Sequence, residues 1–442
     1  MNHKTIYFIS LIGALGGLLF GLDQGFIANS LKTISFVYDL TISEGEKYSA
    51  TLAWGGILGA LLSGLFARFF GRKKVLIIAG FLFMIMSLVS AFLPSFLILC
   101  LCRFGLGFSV GIASFNVPLY LAETSPTDIR GSLTTLFQLM IAVGVFFISL
   151  TNVFIVSIMG NSEISITLMF LVIVFFSGMM FIGSFFLPES PRWLILKGEE
   201  LKALSVLNKI RKDEKEASQE ISEIKNSINS RNVTSSPVRK IIFWKILFVG
   251  ILLQAFQQLV GINMIIYYAP TIFGYANVTG VLSLLIVPLF FMIFTFPAVK
   301  WIEKWGRKKL LFIGSFIMMC SMFSSGFSFL YIEYYLAKLI LVISSVIYIF
   351  GFSCSWGPVV WVLCSEIFPI KKREIGMTIT TMVNWLFAGV VMANALSFME
   401  LYGNASIFFV FAAFCLLSLF FLKLFVPETK NISLENIEKK FS

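Results

Sequence analysis

Charge is scarce in this chain. Only 13% of its 442 residues are Asp, Glu, Lys or Arg, whereas 58% are hydrophobic, 50 are Phe and the mean hydropathy is +0.92. No water-soluble domain hides that much apolar surface beneath a polar shell, so a soluble globular protein is excluded. Histidine is nearly missing: His3, at the extreme N-terminus, is the single one. A histidine proton relay within an apolar interior is excluded with it, and any proton chemistry there falls to a carboxylate. The cysteines Cys100, Cys102, Cys320, Cys354, Cys364 and Cys415 lie inside apolar runs with no metal-like spacing beyond a lone Cys-x-Cys. They read as free thiols packed as small hydrophobes, and no metal site is expected. A Ser/His/Asp set and a phosphate-binding Gly loop are also lacking, so neither an enzyme nor a cofactor is expected.

What is present is a series of apolar runs of about 20 residues, the length at which a helix crosses a bilayer with its backbone polar groups satisfied internally. Twelve are expected, near 6–30, 49–67, 75–93, 96–121, 132–158 and 165–187, then 243–272, 280–301, 309–331, 335–364, 376–398 and 404–425. The first is about 25 residues long and holds Asp23 and Asn29, so it reads as a retained helix rather than a secretion signal. Basic residues cluster after spans two (Arg68, Arg72, Lys73, Lys74), eight (Lys300, Lys304, Arg307, Lys308, Lys309) and ten (Lys371, Lys372, Arg373). These loops share one face, which the bias of Lys and Arg marks as cytoplasmic together with both termini. The net charge of +11 then reflects topology and anionic lipid, and no nucleic-acid partner is expected.

An internal repeat divides the chain. Phe70-Gly-Arg-Lys-Lys74 recurs as Trp305-Gly-Arg-Lys-Lys309, and Glu123 to Arg130 recurs in spacing as Glu366 to Arg373. Pro188-Glu-Ser-Pro-Arg-Trp193 and Pro427-Glu-Thr-Lys430 each follow a sixth span. The expected fold is an all-α membrane protein of twelve transmembrane helices in two pseudo-symmetric six-helix bundles, 1–190 and 242–427. A cytoplasmic linker with short amphipathic helices (191–241) joins them, and 428–442 form a tail. At one end, Arg72, Glu123, Arg130, Glu189 and Arg192 face Arg307, Glu366, Arg373 and Glu428, a set that can pair across the halves and hold that side shut.

Asp23 is the one acidic residue placed deep in a span, and such a residue marks a functional site by default. Arg103 in span four falls at about the same depth, near 10 Å below the outer boundary at roughly 1.5 Å per residue. A pair whose charge changes when Asp23 gains a proton is the logic of a coupling switch. Uncharged amides are the other polar feature: Gln138 in span five; Gln254, Gln257, Gln258 and Asn263 in span seven, ahead of Tyr267 and Tyr268; Asn384 in span eleven. Amide donors and acceptors beside an aromatic such as Trp361 suit a neutral polyhydroxyl ligand. A transporter is therefore expected.

The segments Gly16-GLLFGLDQGFIANSL31, Arg103-FGLG107, Pro188-ESPRWL194, Gln257-QLVGINMIIYYAP270, Gly357-PVVWVLCSEIFP369 and Pro427-ETKNISLE435 run from end to end of the chain. In them it closely resembles the sugar porter family of the major facilitator superfamily, nearest to bacterial galactose and arabinose proton symporters. The resemblance implies that Gln138, Gln257, Gln258, Asn263, Trp361 and Asn384 line a sugar site, that Tyr267 and Tyr268 close its outer gate, and that Asp23 with Arg103 couples uptake to a proton. Three positions depart from the family pattern. Arg68 stands where many relatives in the superfamily have an acid, though the second half keeps Glu303, and Phe291 and Ala388 stand where ligand amides are common. The expectation is a monomeric importer of a neutral monosaccharide and a proton in the cell (inner) membrane. A passive sugar facilitator is the alternative, and a non-transporting sugar sensor the more distant one, since sensors would carry long signalling extensions.

Overall fold

The computed structural model describes residues 3–93, 95–126, 128–229, 237–369, 372–430 and 432. All regular elements among them are helical, and twelve stretches are long and apolar enough to cross a membrane. Residues 230–236 of the expected linker, Lys371 of the third basic cluster and most of the expected tail lie outside the described residues.

The first half comprises α1 (His3–Tyr38), α2 (Ile42–Phe70), α3 (Arg72–Ala91), α4 (Phe96–Thr124), α5 (Arg130–Met159) and α6 (Glu163–Ser184). Three short helices follow, α7 (Pro191–Leu196), α8 (Glu200–Ile210) and α9 (Glu214–Asn229). The second half contains α10 (Pro237–Leu259), α11 (Ile262–Tyr275), α12 (Val281–Trp305), α13 (Arg307–Leu330), α14 (Tyr335–Cys354), α15 (Trp356–Ile367), α16 (Arg373–Tyr402) and α17 (Ser406–Phe425). Within the first half α1 packs on α5, α2 on α4 and α3 on α6; the halves meet mainly along two seams, α2 with α16 and α5 with α12.

Small residues set how closely these helices approach. Without a hydrophobic drive between helices in lipid, tight van der Waals packing carries association, and glycine permits it. A methyl group at Gly21 would overlap the Ile141 carbonyl oxygen of α5, and one at Gly107 the Leu52 carbonyl oxygen of α2. The backbones of the central helices therefore lie almost in contact.

Two spans differ from the sequence expectation. Spans seven and ten are each two helices, α10–α11 and α14–α15, broken at Gly261 and Ser355. Gly261 takes φ +98°, a left-handed conformation open to glycine at little steric cost. After Ser355, Pro358 sits in the first turn of α15, where its missing N–H removes no helical bond. Irregular backbone at membrane depth is tolerated where it is buried in protein, and Val260, Gly261, Ser355 and Trp356 are all buried. Helices α1 and α2 also continue past the expected limits of 30 and 49. Their extensions carry Lys32, Thr33, Ser35 and Glu46, which line a cavity between the bundles rather than lipid.

Candidate functional site

Asp23 on α1 and Arg103 on α4 are both fully buried, and Arg103 Nη1 donates to Asp23 Oδ1 at 2.8 Å. The guanidinium also lies over the ring of Tyr48, 5.4 Å from its centroid. Asp23 Oδ2 and Arg103 Nε and Nη2 have no hydrogen-bond partner among the described residues. A buried pair held by a single hydrogen bond is weakly anchored, because the desolvation of two charges is offset only by excellent geometry and full satisfaction. The uncommitted carboxylate oxygen is an available position for a proton.

Beside this pair the amides form one directed chain across the molecule. Gln24 Nε2 donates to Asn263 Oδ1 (3.1 Å), Asn263 Nδ2 to Gln258 Oε1 (2.7 Å), and Gln258 Nε2 to Asn384 Oδ1 (3.1 Å). Asn384 Nδ2 then donates to Gln254 Oε1 (2.6 Å) and Gln257 Oε1 (2.7 Å), while Gln257 Nε2 reaches the carbonyls of Trp356 and Gly357 at the start of α15. The break at Gly261 lets α10 and α11 present Gln258 and Asn263 to each other although they are five residues apart. Gln138, Gln257, Gln258, Asn263 and Trp361 border a central cavity of about 30 Å³, room for one or two water molecules. Phe20, Gln24, Phe291 and Phe352 are also in its wall, and among the described residues no ionised side chain is. The indole of Trp361 is held edge-on by Phe137 at 5.5 Å.

Two of the expected sugar-site residues, Gln254 and Asn384, do not border this cavity. Gln254 lies about one turn from Gln257 and Gln258 along α10, so it and Asn384 stand behind the wall and fix its amides. Phe291 does enter the wall, leaving span eight without a polar contribution there, whereas Ala388 is buried outside it.

Toward the face opposite the basic clusters lies a larger cavity of about 710 Å³, bordered by Tyr267 and Tyr268. Tyr268 Oη donates to the Met392 carbonyl of α16 at 2.9 Å. Four residues along, Leu396 N–H donates to Glu46 Oε1 (3.1 Å) and Ser397 Oγ to Glu46 Oε2 (2.6 Å). Glu46 of α2 thus ties the first bundle to the same turn of α16 that Tyr268 holds from the second.

The basic face is closed by charge. In the first half Arg72 pairs with Glu123 at 2.9 Å, Ser190 Oγ donates to Glu123, and Glu189 accepts the N–H groups of Arg72 and Lys73 at the start of α3. The second half repeats this with Arg307 and Glu366 (3.0 Å), Thr429, and Glu428 on the N–H groups of Arg307 and Lys308. Burial pushes the Glu189 carboxyl above the ordinary carboxylate range, against the pull of its backbone donors.

Most of these pairs lie within a half. Glu189 and Glu428 cap helices, where N-terminal N–H groups attract anions. Arg192 lies 3.9 Å from Glu220 of α9. Arg211, held by Glu220, donates to the Thr124 carbonyl at the end of α4, so the linker helices brace the end of α4 next to Glu123. Contacts that cross the seams include Arg72 with Glu374 at 2.9 Å, Arg373 with Glu123 at 3.8 Å, Glu303 accepting Ser132 N–H at 3.1 Å, and Ser132 Oγ donating to the Val299 carbonyl at 2.6 Å. Arg130 sits buried at the start of α5.

Sequence reasoning missed Gln24, Glu46 and Glu374. Gln24 follows Asp23 directly, and a second polar residue in so apolar a run was the available signal. Glu46 fell just outside the expected second span, and Glu374 was overshadowed by the basic cluster before it.

Comparison with known proteins identifies the family and the fold. The family model described as "Sugar (and other) transporter" matches residues 9–441. The galactose-proton symporter of Escherichia coli K12 is 38% identical over 99% of this chain and 95% of its own length. The arabinose-proton symporter of the same strain is 36% identical over 99% and 94%. The proton:xylose symporter XylE bound to 6-bromo-6-deoxy-D-glucose superposes with a TM-score of 0.91 at 30% identity, covering 100% of both chains. The inward open form of the xylose transporter XylE from E. coli gives 0.77. The chain belongs to the sugar transporter family, with the twelve-helix fold of the major facilitator superfamily.

Proposed function

We propose that this protein imports a neutral monosaccharide together with a proton by alternating access, its two bundles rocking about the central cavity. The observation that carries this reading is the juxtaposition of a buried, singly bonded Asp23–Arg103 pair with a cavity walled by amides and aromatics and free of ionised side chains. Amides satisfy sugar hydroxyls as donor and acceptor at once, and an uncharged wall disfavours organic anions and amino acids. Gln138, Gln257, Gln258 and Asn263 bind the sugar, Trp361 covers its apolar face, and Gln254 with Asn384 orients the binding amides.

Proton transfer to Asp23 discharges it and releases Arg103, which changes how α1 and α4 pack against the second bundle. Tyr267 and Tyr268 close the outer side, and the Arg72 and Arg307 networks close the inner one. The basic face with both termini is cytoplasmic, and the membrane is the cell (inner) membrane. One chain supplies the whole pathway, so the working unit is a monomer. The sugar leaves chemically unchanged, and no cofactor takes part. The galactose-, arabinose- and xylose-proton symporters similar to this chain support the substrate class.

The test is uptake of labelled galactose, glucose, xylose and arabinose into energised cells, with and without a protonophore. Accumulation of one or more above the external concentration, abolished by the protonophore, is expected. Equilibration without accumulation would identify a facilitator, and binding without uptake a sensor.

A further inference from the structure

Gln24 has no role in the sites described so far beyond its place in the amide chain, yet three observations converge on it. It is buried in the wall of the central cavity, which Phe291 and Phe352 also line. Its Nε2 bond to Asn263 is the link by which the first bundle joins the amide chain of the second. It is also adjacent to Asp23. Successive helical residues point about 100° apart, so one turn of α1 directs Asp23 toward Arg103 of α4 and Gln24 toward Asn263 of α11.

The cavity as it stands has room for one or two waters, too little for a sugar ring. A ligand can enter only by separating groups that now touch, and the Gln24–Asn263 bond is one that spans the bundles. Breaking it frees a donor and an acceptor at the same depth, both buried. An unpaired buried amide is costly, so a bound ligand must replace the partner with a hydroxyl. The second bundle contributes Phe291 to this wall and keeps Ala388 outside it, so the amide offered from α1 supplies polarity that these two positions do not.

We propose that Gln24 is a substrate-binding residue that exchanges its bond to Asn263 for a bond to one sugar hydroxyl. This rests on the reading of the chain as a sugar symporter and names the residue through which an occupied site acts on the helix that carries the proton. Sugar binding separates Gln24 from Asn263, reorients the turn of α1 bearing Asp23, and so links occupancy to the Asp23–Arg103 pair.

The experiment uses the purified full-length protein in proteoliposomes, with its best-transported monosaccharide and the complete set of monodeoxy analogues. In the unaltered protein one analogue should show a KM about tenfold higher than the parent sugar, the worth of one neutral hydrogen bond. Gln24→Leu should raise the KM of the parent about tenfold while leaving that single analogue unchanged, with every other analogue following the parent. Gln24→Asn, shorter but still an amide, should fall between and guards against a misfolded Leu variant. Equal losses across all analogues in both variants would overturn the proposal. So would unchanged KM values, or a uniform gain in affinity, which would mean that Gln24 is only a latch the sugar must open. Absence of proton-driven monosaccharide uptake by the unaltered protein would overturn the symport reading and this proposal together, whereas normal wild-type uptake with a uniform mutant effect would overturn this one alone.

Discussion

Replacing Asp23 by Asn should uncouple the transporter without destroying it. The amide keeps an oxygen where Oδ1 now accepts from Arg103 Nη1 at 2.8 Å, so the geometry of α1 against α4 survives. What disappears is the negative charge and the site for the proton. Removing one member of a buried ion pair costs about 3–5 kcal/mol when nothing replaces it, and the retained hydrogen bond together with the Tyr48 ring beneath the guanidinium should hold the loss below that range. The functional consequence is larger than the structural one. A membrane potential of 100 mV supplies about 2.3 kcal/mol per charge moved, which supports an accumulation of roughly 50-fold for one proton per sugar. Asp23→Asn should bring that ratio to about one while preserving exchange of labelled internal for unlabelled external sugar. The assay is steady-state accumulation and counterflow in right-side-out vesicles at an imposed potential. Accumulation in the Asn variant well above unity and still collapsed by a protonophore would refute Asp23 as the coupling group.

Two further substitutions probe the closed faces. Glu374→Gln removes the carboxylate that crosses to Arg72, a charge-assisted bond worth about 1.5–3 kcal/mol, and should raise labelling by a membrane-permeant maleimide at a cysteine placed on the basic face roughly tenfold or more; unchanged labelling would exclude Glu374 from the closure. Glu46→Ala leaves Leu396 N–H and the Ser397 hydroxyl without their acceptor and should lower stability by about 1–3 kcal/mol, read as a fall in Tm in detergent, with Glu46→Gln recovering part of it; equal Tm values for all three proteins would remove Glu46 from the α2–α16 seam.

The twelve spans and the two-fold repeat were legible in the sequence because lipid imposes one rule on every residue facing it, and hydropathy reports that rule directly. Asp23 and the amides of span seven stood out for the same reason, as polar exceptions in an apolar run. The breaks at Gly261 and Ser355 were not legible, since hydropathy does not register local backbone conformation and both segments stay apolar across the break. Which amides border the cavity was also hidden. Gln254 and Gln257 share a helix and a chemistry, and one turn of α10 decides that the first supports and the second lines the wall. Gln24, Glu46 and Glu374 act across the interface between bundles, and each finds its partner more than 200 residues away in sequence.

The repeat itself explains one departure that reads as an oddity in sequence. In the second half Glu303, in the last turn of α12, serves Arg307 at the start of α13 at 3.0 Å and reaches over to Ser132 N–H of α5. Its counterpart in the first half is Arg68, which has no carboxylate to offer. The place is filled from the other bundle: Glu374, in the first turn of α16, supplies Arg72 with the second acid that Arg307 finds locally. Two of the contacts across the basic face therefore run from a carboxylate of the second bundle to a donor of the first. At its seam Glu303 meets a backbone N–H, whereas Glu374 meets a full guanidinium charge. The α2–α16 seam is thus bridged by an ion pair where the α5–α12 seam is bridged by Glu303 on Ser132 N–H and by the Ser132 hydroxyl on the Val299 carbonyl.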